Sequence, residues 1–130
     1  VLALALLAPG LAAGCSAGGG QAEARTVVLD VTHSRYLPSA VEVPAGTTVR
    51  FVVRNNDPID HELIIGGAEV HARHAGGTEA AHGAVPGEVS APAGQTAETT
   101  LRFRTKGSVL FACHLPGHYA YGMTGTIRVT

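Results

Sequence analysis

The stretch that decides the fold is residues 111–125, which read F-A-C-H-L-P-G-H-Y-A-Y-G-M-T-G. Pro116, Gly117 and Gly122 interrupt it, and residues of these types disfavour both a continuous strand and a helix. The stretch therefore predicts a compact turn that leaves one strand at Cys113 and enters another a few residues later. Such a turn can direct several side chains at one point.

Three metal-ligating side chains of this turn are evenly spaced. Cys113, His118 and Met123 follow the spacing C-x4-H-x4-M and offer a thiolate, an imidazole and a thioether. Thiolate and thioether favour Cu(I), imidazole suits Cu(II), and a trigonal His2Cys set with a long axial Met defines a blue-copper electron-transfer site. The spacing predicts such a copper site, which needs a second histidine from elsewhere in the chain. The alternative is a hairpin turn that contains a buried cysteine, an exposed histidine and a core methionine.

The run C-H-L-P-G-H-Y-A-Y-G-M-T-G-T-I resembles the C-terminal ligand loop of cupredoxins, the plastocyanin and azurin superfamily, and its ligand spacing is similar to that of rusticyanin. The resemblance covers residues 26–130 and implies a Greek-key β-sandwich with one type 1 copper ion. It also implies that the missing ligand lies upstream, at the end of an earlier strand, where His61 is found in N-N-D-P-I-D-H-E-L-I-I. The implied ligands are His61, Cys113 and His118 in the copper plane, with Met123 axial.

The same resemblance implies a route for electrons. In cupredoxins the exposed edge of the second ligand histidine serves as the electron port, so His118 would have this role, within an apolar patch. The residues that would border it are Leu115, Pro116, Tyr119 and Tyr121. For the two tyrosines, ordinary partly exposed packing is an equally open interpretation.

Two residues depart from the family pattern. Many cupredoxins carry Asn directly after the first ligand histidine, where it braces the ligand loop, but this chain has Glu62, which puts the brace in doubt. His114 gives the run C-H-x3-H-x4-M, which is similar to that of multicopper oxidases, yet Ala112 precedes the cysteine and the chain has no H-x-H pair. Because neighbouring residues on a strand point to opposite faces, we expect His114 to face away from the copper and to be exposed.

Several segments alternate apolar and polar residues with a period of two, which predicts half-buried strands. The pattern occurs in T-V-V-L-D-V-T from Thr26, in T-T-V-R-F-V-V-R from Thr47 and in residues 95–104, and residues 109–113 and 126–130 are the last two candidates. The side chains expected to face the core are Val27, Leu29, Val31, Val49, Phe51, Val53, Ala97, Thr99, Leu101 and Phe103. Pro-Ala-Gly turns at residues 44–46 and 92–94 each precede a strand. Short strands separated by such turns predict an all-β sandwich.

Residues 66–91 lack this alternation and predict one long loop, in which only residues 68–75 could form a short helix. The loop contains three histidines and two glutamates, which are His71, His74, His82, Glu69 and Glu79. Two of the histidines, three residues apart, could share a helical face and form a second metal site or a copper-capturing tract. We favour a solvated loop, because the spacing fixes no fourth ligand.

The first residues predict export. Residues 1–14 are apolar and end in small residues, a pattern that is typical of a signal peptide. The apolar stretch is too short for a membrane span. A signal peptide normally begins with a basic region, and its absence here suggests a truncated start. L-A-A-G-C resembles a lipoprotein processing site that would lipidate Cys15; the alternative is simple secretion. Residues 15–24 predict a flexible tether and residues 25–130 the cupredoxin domain.

The state of Cys113 depends on that of Cys15. If Cys15 carries lipid, Cys113 is a lone thiol that copper would protect. The alternative is a disulfide between Cys15 and Cys113.

Composition limits the function. Nine Lys and Arg against ten Asp and Glu give a net charge of −1, so there is no electrostatic case for nucleic acid. Copper oxidases use more than one cupredoxin domain, and a dinuclear copper site needs two cysteines in the loop, whereas this chain has one of each. We therefore expect no enzymatic activity. We expect a monomeric, extracytoplasmic electron carrier, anchored through Cys15 or secreted, that serves redox partner proteins in the cell envelope. The alternative is a copper-binding or copper-delivery protein that uses the histidines of the long loop.

Overall fold

The structure is a computed structural model that describes residues 24–79 and 81–130, so the predicted signal peptide and nearly all of the predicted tether lie outside the described residues. Its elements are β1 Arg25–Val31, β2 Tyr36–Leu37, β3 Ala40–Val43, β4 Thr48–Asn55, β5 His61–Gly66, α1 Ala68–His74, β6 Glu88–Ala91, β7 Thr96–Arg102, β8 Gly107–Ala112, α2 His118–Tyr121 and β9 Thr124–Val129. Neither α1 nor α2, the helices of this described part, has the length and apolar character needed to cross a membrane.

The strands form two sheets whose apolar faces enclose one core. The first sheet has the order β2-β1-β4-β7 and the second the order β3-β9-β8-β5-β6. Most neighbours are antiparallel, but β1 pairs with β4 and β3 with β9 in parallel. The alternating residues predicted to face inward on β1 and β4 are all buried, and on β7 they are buried or half-buried. The predicted β-sandwich is therefore confirmed.

The predicted long loop is correct only in part. Residues 68–74 form α1, as the composition suggested, but Glu88–Ala91 form β6, which pairs antiparallel with β5. Three of the four residues of β6 are buried, including Glu88. The four residues E-V-S-A do alternate polar and apolar side chains, but Glu88 is buried like Val89 and Ala91, and a run of four residues is too short to indicate a strand reliably.

Antiparallel pairing of β5 with β8 brings distant parts of the chain together. Ile64 lies opposite Ala112, so the first residue of β5 reaches the end of β8, where Cys113 follows. His61 therefore begins a strand, and the expectation that it lies at the end of an earlier strand is wrong. β8 continues through the turn into β9, and the Cys113 backbone N–H donates to the Met123 carbonyl oxygen at 3.1 Å. All four predicted ligands thus lie at one end of the second sheet.

Gly125 provides a test of this packing. It lies opposite Phe111 in the β8–β9 ladder, and an added methyl group would collide with the Phe111 ring and lie 2.6 Å from the Ser39 carbonyl oxygen. We expect Gly125→Ala to lower the free energy of unfolding by about 1–3 kcal/mol, because the ring and the backbone must both move. Thr126→Ala, at the exposed neighbouring position, is the control. Equal urea midpoints for the two variants would contradict this description of the core.

Candidate metal centre

Three of the four predicted ligands converge on one point. The Nδ1 atoms of His61 and His118 are 3.2 Å apart, and Cys113 Sγ is 3.2 Å from His118 Nδ1. An ion about 2 Å from each donor in a trigonal plane would separate them by about 3.5 Å, close to these values. His61 and Cys113 are buried and His118 is half-buried. A thiolate and two imidazoles at this spacing, beside a methionine, form the donor set of a type 1 copper site.

Glycines shape the turn that carries two of these donors. Gly117 and Gly122 adopt φ angles of 84° and 95°, a left-handed conformation that glycine allows without strain. Between them lies α2, and the Met123 backbone N–H donates to the His118 carbonyl oxygen at 3.0 Å. The predicted turn is confirmed, although it includes one helical turn that the glycines were expected to prevent. Glycine at both ends reverses the chain and so limits the helix to four residues.

Met123 is fixed next to the cluster by its own backbone. Its N–H and carbonyl groups bond to His118 and Cys113, and its side chain is fully buried in the core. Its role as the axial ligand stays a prediction.

Asp57 orients the upstream histidine. Its Oδ2 lies 2.9 Å from His61 Nε2, so Nε2–H donates to the carboxylate and Nδ1 presents its lone pair to the cluster. The same carboxylate accepts the backbone N–H groups of His33 and Ser34 at 2.7 and 2.8 Å. Burial raises the pKa of Asp57, but these hydrogen bonds and that of His61 outweigh it and hold the pKa below its usual value. Sequence reasoning missed Asp57, whose only signal was its place four residues before His61.

The pKa shifts of His118 and Cys113 have different consequences for metal binding. Burial, followed by the proximity of His61, lowers the pKa of His118, so this imidazole is neutral and able to ligate. Burial raises the pKa of Cys113 to about 11, so its thiolate forms only when an ion displaces the proton.

Glu62 supplies the brace that the sequence left in doubt. Its Oε1 accepts the backbone N–H of His114 at 2.8 Å, and its side chain is buried. A carboxylate here therefore holds the residue that follows Cys113. The second oxygen, Oε2, lies 3.2 Å from Nε2 of His82 in the long loop. One side chain thus joins the copper loop to residues 66–91.

The prediction that His114 is exposed is wrong, because it is only 7% exposed. It points away from Cys113 as expected, but α1 covers that face, and His114 Nε2 lies 2.9 Å from His71 Nδ1. His71 Nε2–H can donate to the Leu110 carbonyl oxygen at 3.3 Å, so the two rings satisfy each other. Strand alternation gives the side on which His114 lies but not what covers it.

Residues 83–86 of the long loop are exposed, but its three histidine side chains are not solvated as the favoured interpretation expected. His71 and His74 are 8% and 4% exposed, and the His82 side chain is 4% exposed. His74 and His82 approach Glu79 and Glu88 closely enough to form a second group of metal-ligating side chains. Glu88 escaped notice because it lies in the strand that the sequence pattern did not indicate.

The residues expected to border the electron port flank His118. Tyr119 and Tyr121 are 47% and 58% exposed, Pro116 is exposed and Leu115 is half-buried. Tyr119 stacks on His114 with a centroid distance of 5.0 Å, so it also has a packing role. The role of this surface in electron transfer stays a prediction.

Comparison with known proteins gives consistent results. The family described as copper binding proteins, plastocyanin/azurin family, matches residues 23–130. The copper-resistant cuproprotein CopI of Rubrivivax gelatinosus is 35% identical over 87% of this chain and 69% of its own length. CopI of Pseudomonas aeruginosa is 31% identical, over 94% of this chain and 84% of its own length. A solved structure of auracyanin B matches with a TM-score of 0.68 and 25% identity, over 82% of this chain and 89% of that chain.

The hydrogen bond from His61 to Asp57 predicts a measurable effect on copper binding. We expect Asp57→Asn to weaken copper affinity by about 10- to 100-fold, because the neutral amide holds the imidazole less firmly. The measurement is competition for copper with a chelator. Asp60→Asn is the matched control, since this carboxylate accepts the Ala93 backbone N–H instead. Equal affinities in the two variants would show that Asp57 does not orient His61.

Proposed function

Because the chain belongs to the plastocyanin/azurin family of copper binding proteins, we propose that it handles copper outside the cytoplasm. In this proposal His61, Cys113 and His118 bind one copper ion, with Met123 as the axial ligand, and the bound ion is withheld from other reactions. The convergence of two imidazole nitrogens and one thiol sulfur at separations of 3.2 Å carries the proposal. The predicted export signal in residues 1–14 supports the location.

The donor set suits a protein that retains copper under changing redox conditions. Thiolate and thioether stabilise Cu(I), whereas the two imidazoles suit Cu(II), so one site accommodates both states. Asp57 and Glu62 hold the ligands or their neighbours from outside the cluster. A ligand set held in this way changes little between the two states, which keeps copper bound through a redox cycle.

Two observations favour copper handling over electron transport as the main role. The two CopI relatives, which are described as copper-resistant cuproproteins, align over most of this chain and over most of their own lengths. In addition, the histidine side chains of residues 66–91 are buried, His71 packs against His114, and His82 lies beside Glu62. An electron carrier needs no such second group of histidines.

Electron transfer is the second candidate. The His118 ring reaches the surface while His61 is buried, and exposed tyrosines flank it. This arrangement would give an electron a short path from the copper to a redox partner protein in the cell envelope. Attachment to the membrane through lipid on Cys15 would keep the domain near such partners, and the balanced charge is compatible with a monomer.

Copper tolerance separates the two candidates. In a host strain from which the gene is deleted, we expect the wild-type chain to restore growth at elevated copper and Cys113→Ser to fail, because the thiolate ligand is lost. Tyr121→Glu places charge on the surface that flanks His118, and the residue is exposed enough for the fold to be retained. This variant should slow electron self-exchange between two molecules of the protein, because the two introduced carboxylates repel each other when the surfaces around His118 approach. It should still restore copper tolerance.

Two results would contradict copper handling. One is full tolerance with Cys113→Ser. The other is loss of tolerance with Tyr121→Glu in a protein that still binds one copper ion, a result that would favour electron transfer. Copper content per chain, measured on the purified variants, distinguishes loss of binding from loss of exchange.

A further inference from the structure

A second cluster of ligand-type side chains, formed by His74, Glu79, His82 and Glu88, lies beside the copper loop. His74 Nε2 is 3.3 Å from Glu79 Oε2 and 3.3 Å from Glu88 Oε2. His82 Nδ1 is 3.2 Å from Glu79 Oε2 and 3.5 Å from Glu88 Oε2. Each residue thus directs one donor atom at a common centre.

These separations match those around a metal ion. A tetrahedral ion with bonds of about 2.0–2.1 Å to nitrogen and oxygen separates its donors by about 3.3–3.4 Å. The four distances between nitrogen and oxygen, from 3.2 to 3.5 Å, bracket that value. All four donor atoms lie within 4.8 Å of one another.

His74 has an unsatisfied nitrogen that points into this centre. Its Nδ1–H donates to the Val70 carbonyl oxygen at 2.7 Å, which leaves Nε2 with the lone pair. Nε2 is buried and has no hydrogen-bond partner. The oxygens of Glu79 and Glu88 lie 3.3 Å away, but neither makes a hydrogen bond with it. Buried polar atoms almost always have partners, so this nitrogen calls for one. An ion between the three atoms would supply it.

His82 is positioned by Glu62 and by its own backbone. Its Nε2 lies 3.2 Å from Glu62 Oε2, so a carboxylate faces the far nitrogen, and Nδ1 is the atom that approaches Glu79 and Glu88. Its backbone N–H donates to Ser90 Oγ at 2.8 Å, which ties the segment to β6. A carboxylate or a carbonyl on the far nitrogen is the usual support of a metal-ligating histidine.

The charge of the cluster also favours a cation. The carboxylates of Glu62, Glu79 and Glu88 contribute three negative charges, and one guanidinium, that of Arg73, approaches Glu88 at 3.5 Å. With neutral imidazoles, two negative charges remain, which a divalent ion would balance. An open pocket lined by Arg73, His74, Glu79, His82 and Glu88 gives the ion access from solvent.

We propose that His74, Glu79, His82 and Glu88 form a second metal site for a borderline divalent ion, Zn(II) or Cu(II). Two imidazoles and two carboxylates suit these ions, whereas Cu(I) prefers sulfur ligands, and Ca(II) and Mg(II) prefer a shell of six or more oxygens. The site deepens the proposed copper-handling function and rests on it only where the ion is copper. His71 belongs to the pair with His114 and takes no part.

Metal stoichiometry tests the second site. The full chain is first loaded with one equivalent of Cu(II), so that Cys113 is occupied, and is then titrated with ZnCl2 or, separately, with CuSO4, with bound metal measured after dialysis. We expect a second equivalent to bind. Glu79→Gln should weaken it by at least about tenfold, and His74→Ala should abolish it. Glu79 is half-exposed, so its variant remains informative if His74→Ala fails to fold.

Glu69→Gln is the matched control, because this glutamate lies on α1 outside the cluster. Two results would overturn the proposal: the wild-type chain binds no second equivalent of metal, or Glu79→Gln binds it as tightly as the wild type does. Either result would indicate that protons shared between imidazoles and carboxylates, and not a metal ion, hold the cluster together. Comparison of the two titrations identifies the ion. Cys113→Ser separates the two sites, since it removes the first copper site but should leave Zn(II) binding unchanged. Failure of the second site therefore does not imply failure of the first.

Discussion

Antiparallel pairing of β5 with β8 is the constraint on which the rest of the structure depends. The ladder from Ile64–Ala112 to Gly66–Leu110 sets the start of one strand beside the end of the other. His61 therefore meets Cys113 and His118, although they are about fifty residues apart in the sequence. The two sheets bury His61, Cys113 and Met123 at this end of the ladder, and backbone hydrogen bonds of the turn hold the half-buried His118 beside them. A rigid donor set is what a copper ion needs if it is to change oxidation state with little rearrangement.

Residues adjacent to the ligands connect them to the surrounding protein. Asp57 orients His61 from the loop that precedes β5, and Glu62 fixes the backbone after Cys113. Glu62 also contacts His82, so the copper loop and the cluster of His74, Glu79, His82 and Glu88 share one carboxylate. A carboxylate suits position 62, because one oxygen accepts the His114 backbone N–H and the other faces the His82 imidazole.

Much of the fold and of the copper centre could be predicted from local sequence. Period-two alternation marked β1, β4 and β7, and the spacing of Cys113, His118 and Met123 marked the ligand turn. Contacts across the sandwich could not be predicted: α1 buries His114, and the short strand β6 buries Glu88, a residue type expected at the surface. Asp57 was missed for the same reason, since its contact with His61 depends on the loop conformation. Local pattern gives the side of a strand on which a residue lies, but only tertiary packing decides what covers it.

The visible absorption spectrum of the chain loaded with Cu(II) tests the central claim most directly, that Cys113 and the two histidines bind one copper ion. A cysteine thiolate in a trigonal His2Cys copper site produces an intense charge-transfer colour. We predict this band for the wild-type chain at one copper per protein and its loss in Cys113→Ser. A wild-type protein that binds copper without the band, or a band that persists in Cys113→Ser, would contradict the account.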